Sequence, residues 1–349
     1  MDLTFLKSRP VEWLSGGPES DVVVSSRVRL ARNIDAYPFV SRASDRQRAR
    51  IEELLRGVIL SLGGEHPLDY VRVDQLDPLV RELLQERRLI SVEHTEANWV
   101  RGVAFDAAEQ TSIMVNGEDH LRIQFLRGGL RLEEVYEHAD ALDDRLAERI
   151  PFAFSAKYGY LTASPTNVGT GLRASLMLHL PGVVMAQEMD KVIEIARTEK
   201  LVLRGLYSEG THGAGDFYQM SNHVTLGPAE EEIISAVAGV GRRLVELERT
   251  ARMNLYHNHP DEFRGRLGRA LRLLRSASTI SSEEALSFLS QIRMGVEMGL
   301  VTETDLQTLN ELLLLTLPAH LQTMEGRLLD SSVRNELRAS YVKSRLSTG

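Results

Sequence analysis

The chain has 349 residues, 43% of them hydrophobic, enough to build one large domain or two modest ones. Its formal net charge of −8 argues against general nucleic-acid affinity, and the lack of cysteine excludes disulfides, thiolate catalysis and Cys/His zinc sites. No basic-then-apolar leader opens it, and the apolar run 312–317 is too short to span a bilayer and stops at Pro318, so the expectation is a soluble, cytoplasmic protein.

Residues 21–30, Asp-Val-Val-Val-Ser-Ser-Arg-Val-Arg-Leu, read as a strand in which apolar and polar positions alternate after a buried start. A period of two puts Ser25, Arg27 and Arg29 on one face. Neighbouring arginines repel unless an anion or carboxylates lie between them, and both readings stand at this point. Lysine occurs only at 7, 157, 191, 200 and 343, so nearly all cationic side chains are arginines. A GC-rich genome would produce this, and so would a need for many bidentate anion contacts.

Further along, the pattern predicts a helix over 45–62, a short strand over 70–73 and a helix over 77–89. Strands over 99–105, 111–115 and 120–125 with short polar connections predict an antiparallel meander. Its last connection, Asn116-Gly117-Glu118-Asp119-His120, starts with a pair favoured in tight turns yet carries two carboxylates and a histidine just before Arg122. It is either a solvated turn or a general base held beside an anion-binding arginine. An amphipathic helix over 132–148, without a motif, leads to a strand over 152–162; His138 on that helix is read as a surface residue.

The stretch Ser164-Pro165-Thr166-Asn167-Val168-Gly169-Thr170-Gly171-Leu172-Arg173 is a Gly-rich turn that reads as running into an apolar helix through 178. Two glycines, a helix N-terminus and Arg173 in its first turn would make a phosphate cradle. A helix over 189–198 and a strand over 201–207 follow, then the glycine-rich loop 208–215 and another alternating strand over 217–226. Loops of this composition commonly close over substrate, and Arg204 with Glu209 repeats the pairing of Arg122 with Glu118. These elements support an α+β class.

Four blocks, Ser25-Ser26-Arg27-Val28-Arg29, Asn116 to Arg122, Pro165 to Arg173 and Arg204 to Glu209, resemble the signature blocks of the phosphagen kinases, the ATP:guanido phosphotransferases, in order and at family spacing. Within them the chain is most similar to the bacterial protein arginine kinases, over roughly 21–254. The resemblance implies an antiparallel sheet flanked by helices, of the glutamine synthetase-like kind, with ATP and Mg2+ across it. It places Arg27, Arg29, Arg122, Arg173 and Arg204 on five phosphate-binding arginines, and Glu118 and Glu209 on the carboxylates that hold the acceptor guanidinium. Nucleotide contacts are implied for the surrounding stretches too, at Ser25, Ser26 and Val28, at Ala174, Ser175, Leu176 and Met177, and at Gly205, Leu206, Tyr207, Ser208 and Glu209. Arg88 falls where relatives carry an adenine-stacking histidine. Such a set suits the chemistry: rigid arginines and a metal ion neutralise a polyphosphate, while a guanidinium, protonated at neutral pH, needs a carboxylate to take its proton.

The chain departs from the family at Gly117, where a glutamate is usual, and at Ser164, where a cysteine is usual. Phosphagen kinases of free creatine or arginine carry a helical domain with a closing loop ahead of the first block, where this chain has only about two dozen residues, so the resemblance implies a site open enough for an arginine displayed on another chain. After about residue 255 helices are predicted over 260–275, 282–298, 302–324 and 331–345, a separate helical domain. The expected division is a 1–20 segment, a 21–254 catalytic domain and a 255–349 regulatory and oligomerisation domain. Arg334-Asn335-Glu336-Leu337-Arg338-Ala339 resembles a motif through which protein arginine kinases bind phosphoarginine allosterically, with Asn335 in place of an acid; a solvated basic helix face is the alternative. The family role so implied is phosphorylation of protein arginines that marks clients for a Clp-type protease and inactivates a heat-shock repressor, with a zinc-binding activator as partner and a homodimer or higher oligomer as the assembly. A kinase of free arginine and a weakly catalytic phosphoarginine-binding adaptor are the rival readings.

Overall fold

The computed structural model describes residues 6, 9–63, 67–96, 98–206 and 213–347. In chain order the elements are β1 (Val23–Arg32), α1 (Asp45–Ser61), β2 (Leu68–Arg72), α2 (Pro78–Glu86), α3 (Val92–Thr95), β3 (Gly102–Asp106), β4 (Thr111–Val115), β5 (Leu121–Gly128) and α4 (Leu132–Ala147). There follow β6 (Phe154–Ser155), β7 (Gly159–Tyr160), β8 (Leu172–His179), α5 (Pro181–Met185), α6 (Met189–Thr198), β9 (Leu201–Gly205), β10 (Phe217–Asn222) and α7 (Glu230–Asn258). Five helices end the chain: α8 (Pro260–Ser276), α9 (Ser282–Glu297), α10 (Leu306–Leu315), α11 (Pro318–Glu325) and α12 (Ser331–Leu346).

Eight strands form one antiparallel sheet in the order β2-β3-β4-β5-β1-β8-β10-β9. Alternation along the strands divides it into two unlike faces. Val28 and Leu30 of β1, Leu121 and Ile123 of β5, Leu172, Ala174 and Leu176 of β8 and Met220 of β10 are buried in the largest apolar cluster, together with Ile51 of α1, Val135 of α4 and Leu244 of α7. The opposite face is apolar only at its flanks. Val103, Phe105 and Met114 pack with Leu83 and Leu84 of α2 on one side. Leu126, Met177 and Phe217 pack with Trp13 and the helices from α8 onward on the other. Between those two clusters the face is polar.

Several expected elements take another form. Residues 172–178 are the strand β8, not a helix, so the cradle built on a helix N-terminus does not exist. The segment Leu-Arg-Ala-Ser-Leu-Met-Leu-His is rich in helix formers, but apolar and polar positions alternate along it except at Met177, and pairing with both β1 and β10 overrides its propensity. The expected strand over 152–162 reduces to the small hairpin β6–β7. The helix expected over 302–324 starts at Leu306 and breaks before Pro318, which cannot continue α10 and instead occupies the first turn of α11. The 29-residue helix α7 was not anticipated; the expected domain boundary at 254/255 falls inside it. Among the described residues no helix is long and apolar enough to cross a membrane.

Candidate active site

The polar middle of the open face is the floor of a cavity of about 490 Å3. Strand register builds it. Arg29 of β1 lies opposite Arg173 of β8, Arg27 opposite Ser175, and Ala31 opposite Arg122 of β5. Gln219 of β10 pairs across to Arg204 of β9 and to Met177 of β8. Antiparallel partners share a face, so five arginines from four strands line one cavity. Ser25, Ser175 and Met177 belong to the same face.

Arg27 is fixed by donating from Nη2 to Gln219 Oε1 at 2.8 Å and from Nε to Ser175 Oγ at 3.3 Å. Burial and the charges of Arg88, Arg122 and Arg173 press its guanidinium down to about 9. Burial, with Arg27, Arg122 and Arg173 adjoining and only Glu93 opposing, pushes Arg29 well below its ordinary value. Arg173 is lowered by burial and by Arg204 and Arg122, with Glu118 opposing. The buried Arg29 Nε has no hydrogen-bond partner among the described residues. Converging cations that depress one another are what an anion of high charge density would relieve.

Glu118 sits on the β4–β5 turn, where Asn116 takes a left-handed backbone (φ 57°). Its Oε2 accepts from Arg122 Nη2 at 3.0 Å. The next two residues turn inward and hold the turn in place. Asp119 Oδ1 accepts from Asn33 Nδ2 and Ala163 N–H, both at 2.7 Å, which ties the turn to the segment entering the Gly-rich loop. His120 Nδ1 accepts from Ile34 N–H, so its Nε2 donates to the Pro38 carbonyl; burial lowers its basicity and keeps the ring neutral. In the loop itself, Ser164 shares a hydroxyl hydrogen bond with Thr166 at 2.9 Å, and Ser164, Thr166 and Asn167 reach the cavity wall.

The two glycines serve close packing. Gly169 (φ +116°) lies against the Thr225 carbonyl, and a Cβ there would stand 2.1 Å from its oxygen. A Cβ on Gly171 (φ +67°) would meet Arg32 Nη1 at 2.6 Å and the Ala31 carbonyl at 2.7 Å.

Arg88 follows α2 with φ 64°, and its carbonyl accepts from Gln124 Nε2 at 2.7 Å. It lines the cavity, with its guanidinium 5.1 Å from the Trp13 ring centroid and donating to Met177 Sδ at 3.6 Å. Gly205 and Leu206 line the cavity as well. Ser26, Val28, Ala174 and Leu176 are turned away: Ser26 Oγ donates to the Gly129 carbonyl, and the other three sit in the helix-covered core. A ligand in the cavity can meet these four only through main chain. Tyr207, Ser208 and Glu209 lie outside the described residues.

On α12, Arg338 is 1% exposed, donating to the Thr316 and Ile280 carbonyls and to Asn335 Oδ1, with burial first and Arg334 second lowering it to about 10. It is not part of a solvated face. Arg334 donates to the Leu329 carbonyl, and Ala339 is buried.

Sequence reading missed Gln219, whose polar position in the alternating β10 was the available signal, and the lip Ser91-Val92-Glu93, for which no periodicity speaks.

The family model described as "ATP:guanido phosphotransferase, C-terminal catalytic domain" matches residues 50–251, and that of the "Protein-arginine kinase McsB C-terminal domain" matches residues 260–349. The protein-arginine kinase of Halothermothrix orenii is 45% identical over 338 residues, 96% of each chain, and that of Symbiobacterium thermophilum 43% identical over 339 residues, again 96% of each. Among solved structures, the duplicated taurocyamine kinase of Schistosoma mansoni with bound transition-state-analogue components superposes with a TM-score of 0.61 at 28% identity, over 70% of this chain and 35% of that one. Lombricine kinase, at 22% identity, superposes with a TM-score of 0.60 over 71% of each chain and shares the fold. With its arginines converging on one face of such a sheet, and both family models matched in succession, the chain belongs to the protein-arginine kinases of the ATP:guanido phosphotransferase family.

Proposed function

We propose that the chain transfers the γ-phosphoryl group of MgATP to a guanidinium nitrogen of an arginine side chain on a protein. The observation that carries this reading is the convergence of Arg27, Arg29, Arg122, Arg173 and Arg204 on one cavity that Glu118 also lines. A nitrogen–phosphorus bond forms, the bond from γ-phosphorus to the bridging oxygen breaks, ADP leaves, and the guanidinium proton passes to a carboxylate. The arginines neutralise the transferring phosphoryl group and hold it in line, which is most of what such a transfer requires. Glu118 is the proton acceptor; Glu209 is proposed as the second carboxylate. Magnesium supplies further charge neutralisation. Among the described residues no cluster of three or more acidic or histidine side chains could hold an ion by itself, so the ion is proposed to arrive on the nucleotide.

The cavity, about 490 Å3 and open to solvent, admits a side chain presented by another polypeptide. We further propose the division into an N-terminal segment, a catalytic domain and a helical regulatory domain, a cytoplasmic setting, an oligomeric assembly, and clients handed on to a Clp-type protease with a zinc-binding activator. Phosphoarginine binding at α12 rests on Arg334, since Arg338 already anchors three acceptors. Arg334→Ala, not Arg338→Ala, is therefore the clean test of stimulation by phosphoarginine. The main experiment incubates the protein with MgATP and an unfolded protein, and maps phosphoarginine by mass spectrometry at a pH that spares the acid-labile bond. Phosphoarginine on the protein, with free arginine a poor acceptor, is expected; ATP turnover only with free arginine would overturn the reading.

A further inference from the structure

The short helix α3 and the residue before it form a lip over one end of the cavity. Ser91, Val92 and Glu93 all line the cavity there, and none of them belongs to a strand or to the arginine cluster. Val92 is 64% exposed and sets an apolar side chain at the edge of a strongly polar site. Partial burial would raise the Glu93 carboxyl; hydrogen bonds from its own backbone N–H and from Ser91, with the charges of Arg122 and Arg29, outweigh this and hold it low. It is therefore a carboxylate at neutral pH.

The lip is fixed from behind. Arg101 Nη1 donates to the Glu93 carbonyl at 2.5 Å while its guanidinium stacks on Trp99, 4.2 Å from the ring centroid. His94, buried and driven down to about 3 by burial and by Arg101, is neutral, and its Nε2 donates to the Gly102 carbonyl at 3.1 Å. The lip also touches the turn that carries Glu118: a Cβ on Gly117 would lie 3.3 Å from His94 Nδ1. Among the described residues lining the cavity, the carboxylates are thus Glu93 and Glu118, on two adjoining elements, and Arg122 feels both.

We propose that Val92 and Glu93 form the acceptor-side lip of the active site: Glu93 engages the guanidinium of the incoming arginine and Val92 packs on its methylene stem. An arginine side chain has this two-part character, an apolar stem and a cationic head, and a carboxylate beside an exposed apolar group matches it. Glu93 cannot favour the polyphosphate, because like charges repel, so its place in the cavity suits the cationic substrate. With its main chain held by Arg101 and its carboxylate by its own N–H and by Ser91, Glu93 is pre-organised, which reduces the ordering that binding requires. Glu93 is a specificity-determining residue here, with Glu118 retained as the proton acceptor. The inference rests on the kinase reading.

The test measures initial rates for wild type, Glu93→Gln, Glu93→Asp and Val92→Ser, varying an arginine-containing unfolded protein at saturating MgATP and MgATP at saturating protein. Expected are a roughly tenfold higher KM for the protein with Glu93→Gln, a smaller rise with Val92→Ser, partial recovery with Glu93→Asp, and kcat within about threefold of wild type. KM for MgATP should stay the same or fall. A rise in KM for MgATP with that for protein unchanged would assign Glu93 to the nucleotide side and overturn the proposal, as would no change in either. A wild-type protein that phosphorylates no protein arginine would instead refute the kinase reading itself.

Discussion

Replacing Glu118 with glutamine separates what this carboxylate does for the fold from what it does for the reaction. Its ion pair with Arg122 is 3.0 Å long, with the Glu118 side chain 47% exposed. A pair so open to water contributes about 0–1 kcal/mol to stability, and in a chain of this size that moves Tm by about 2–4 °C at most. Loss of a general base costs about 10²- to 10⁴-fold in turnover, which is about 2.7–5.5 kcal/mol in the barrier. The two effects differ enough to be told apart in one variant. Glu118→Gln should also release Arg122 for the nucleotide, so MgATP affinity should hold or rise. Initial rates at saturating MgATP and unfolded protein, a thermal melt and calorimetric ATP titration together give the three numbers. A kcat within threefold of wild type would refute Glu118 as the base, and a collapse of ATP affinity would show it to be part of the nucleotide site.

Three further outcomes follow from the geometry. Gly169→Ala places a Cβ about 2.1 Å from the Thr225 oxygen at φ +116° and should destabilise the fold by about 2–4 kcal/mol, read as a urea midpoint; a neutral result would mean the loop has another conformation in solution. Arg87 and Glu109 form a fully buried ion pair with side chains 0% and 1% exposed, so Arg87→Ala should cost about 3–5 kcal/mol and Arg87→Met with Glu109→Leu much less. Equal losses in the single and double variants would contradict that account. Burial, then Glu248, raises Asp216 from 3.8 to about 6, so between roughly pH 4 and pH 6 the folded chain keeps a proton that the unfolded chain has released. Stability should therefore fall as pH rises through that window, and Asp216→Asn should flatten the slope in urea titrations; parallel slopes would rule this group out.

Local pattern was enough for much of the scaffold. The alternation in β1 announced a two-faced strand with Arg27 and Arg29 together, and α1 and α4 begin and end close to where their periodicity places them. The Asn116 turn was legible because a left-handed backbone favours asparagine. What sequence could not decide was which local preference would yield. In β8 a run of helix formers became a strand because two neighbouring strands satisfy its backbone on both sides, a contribution that no window of the chain contains. Gly169 and Gly171 looked like a phosphate turn, yet their lack of Cβ answers to Thr225, Ala31 and Arg32. Arg338 read as half of a surface pair and is instead buried against carbonyls from two other helices' ends. The site itself follows the same division: residue type made each arginine a candidate, but only the β5-β1-β8-β10-β9 register sets positions 29, 122, 173 and 204 on one face. Side-chain chemistry is local to a residue, whereas the field that several side chains create together depends on distances that only the folded chain sets.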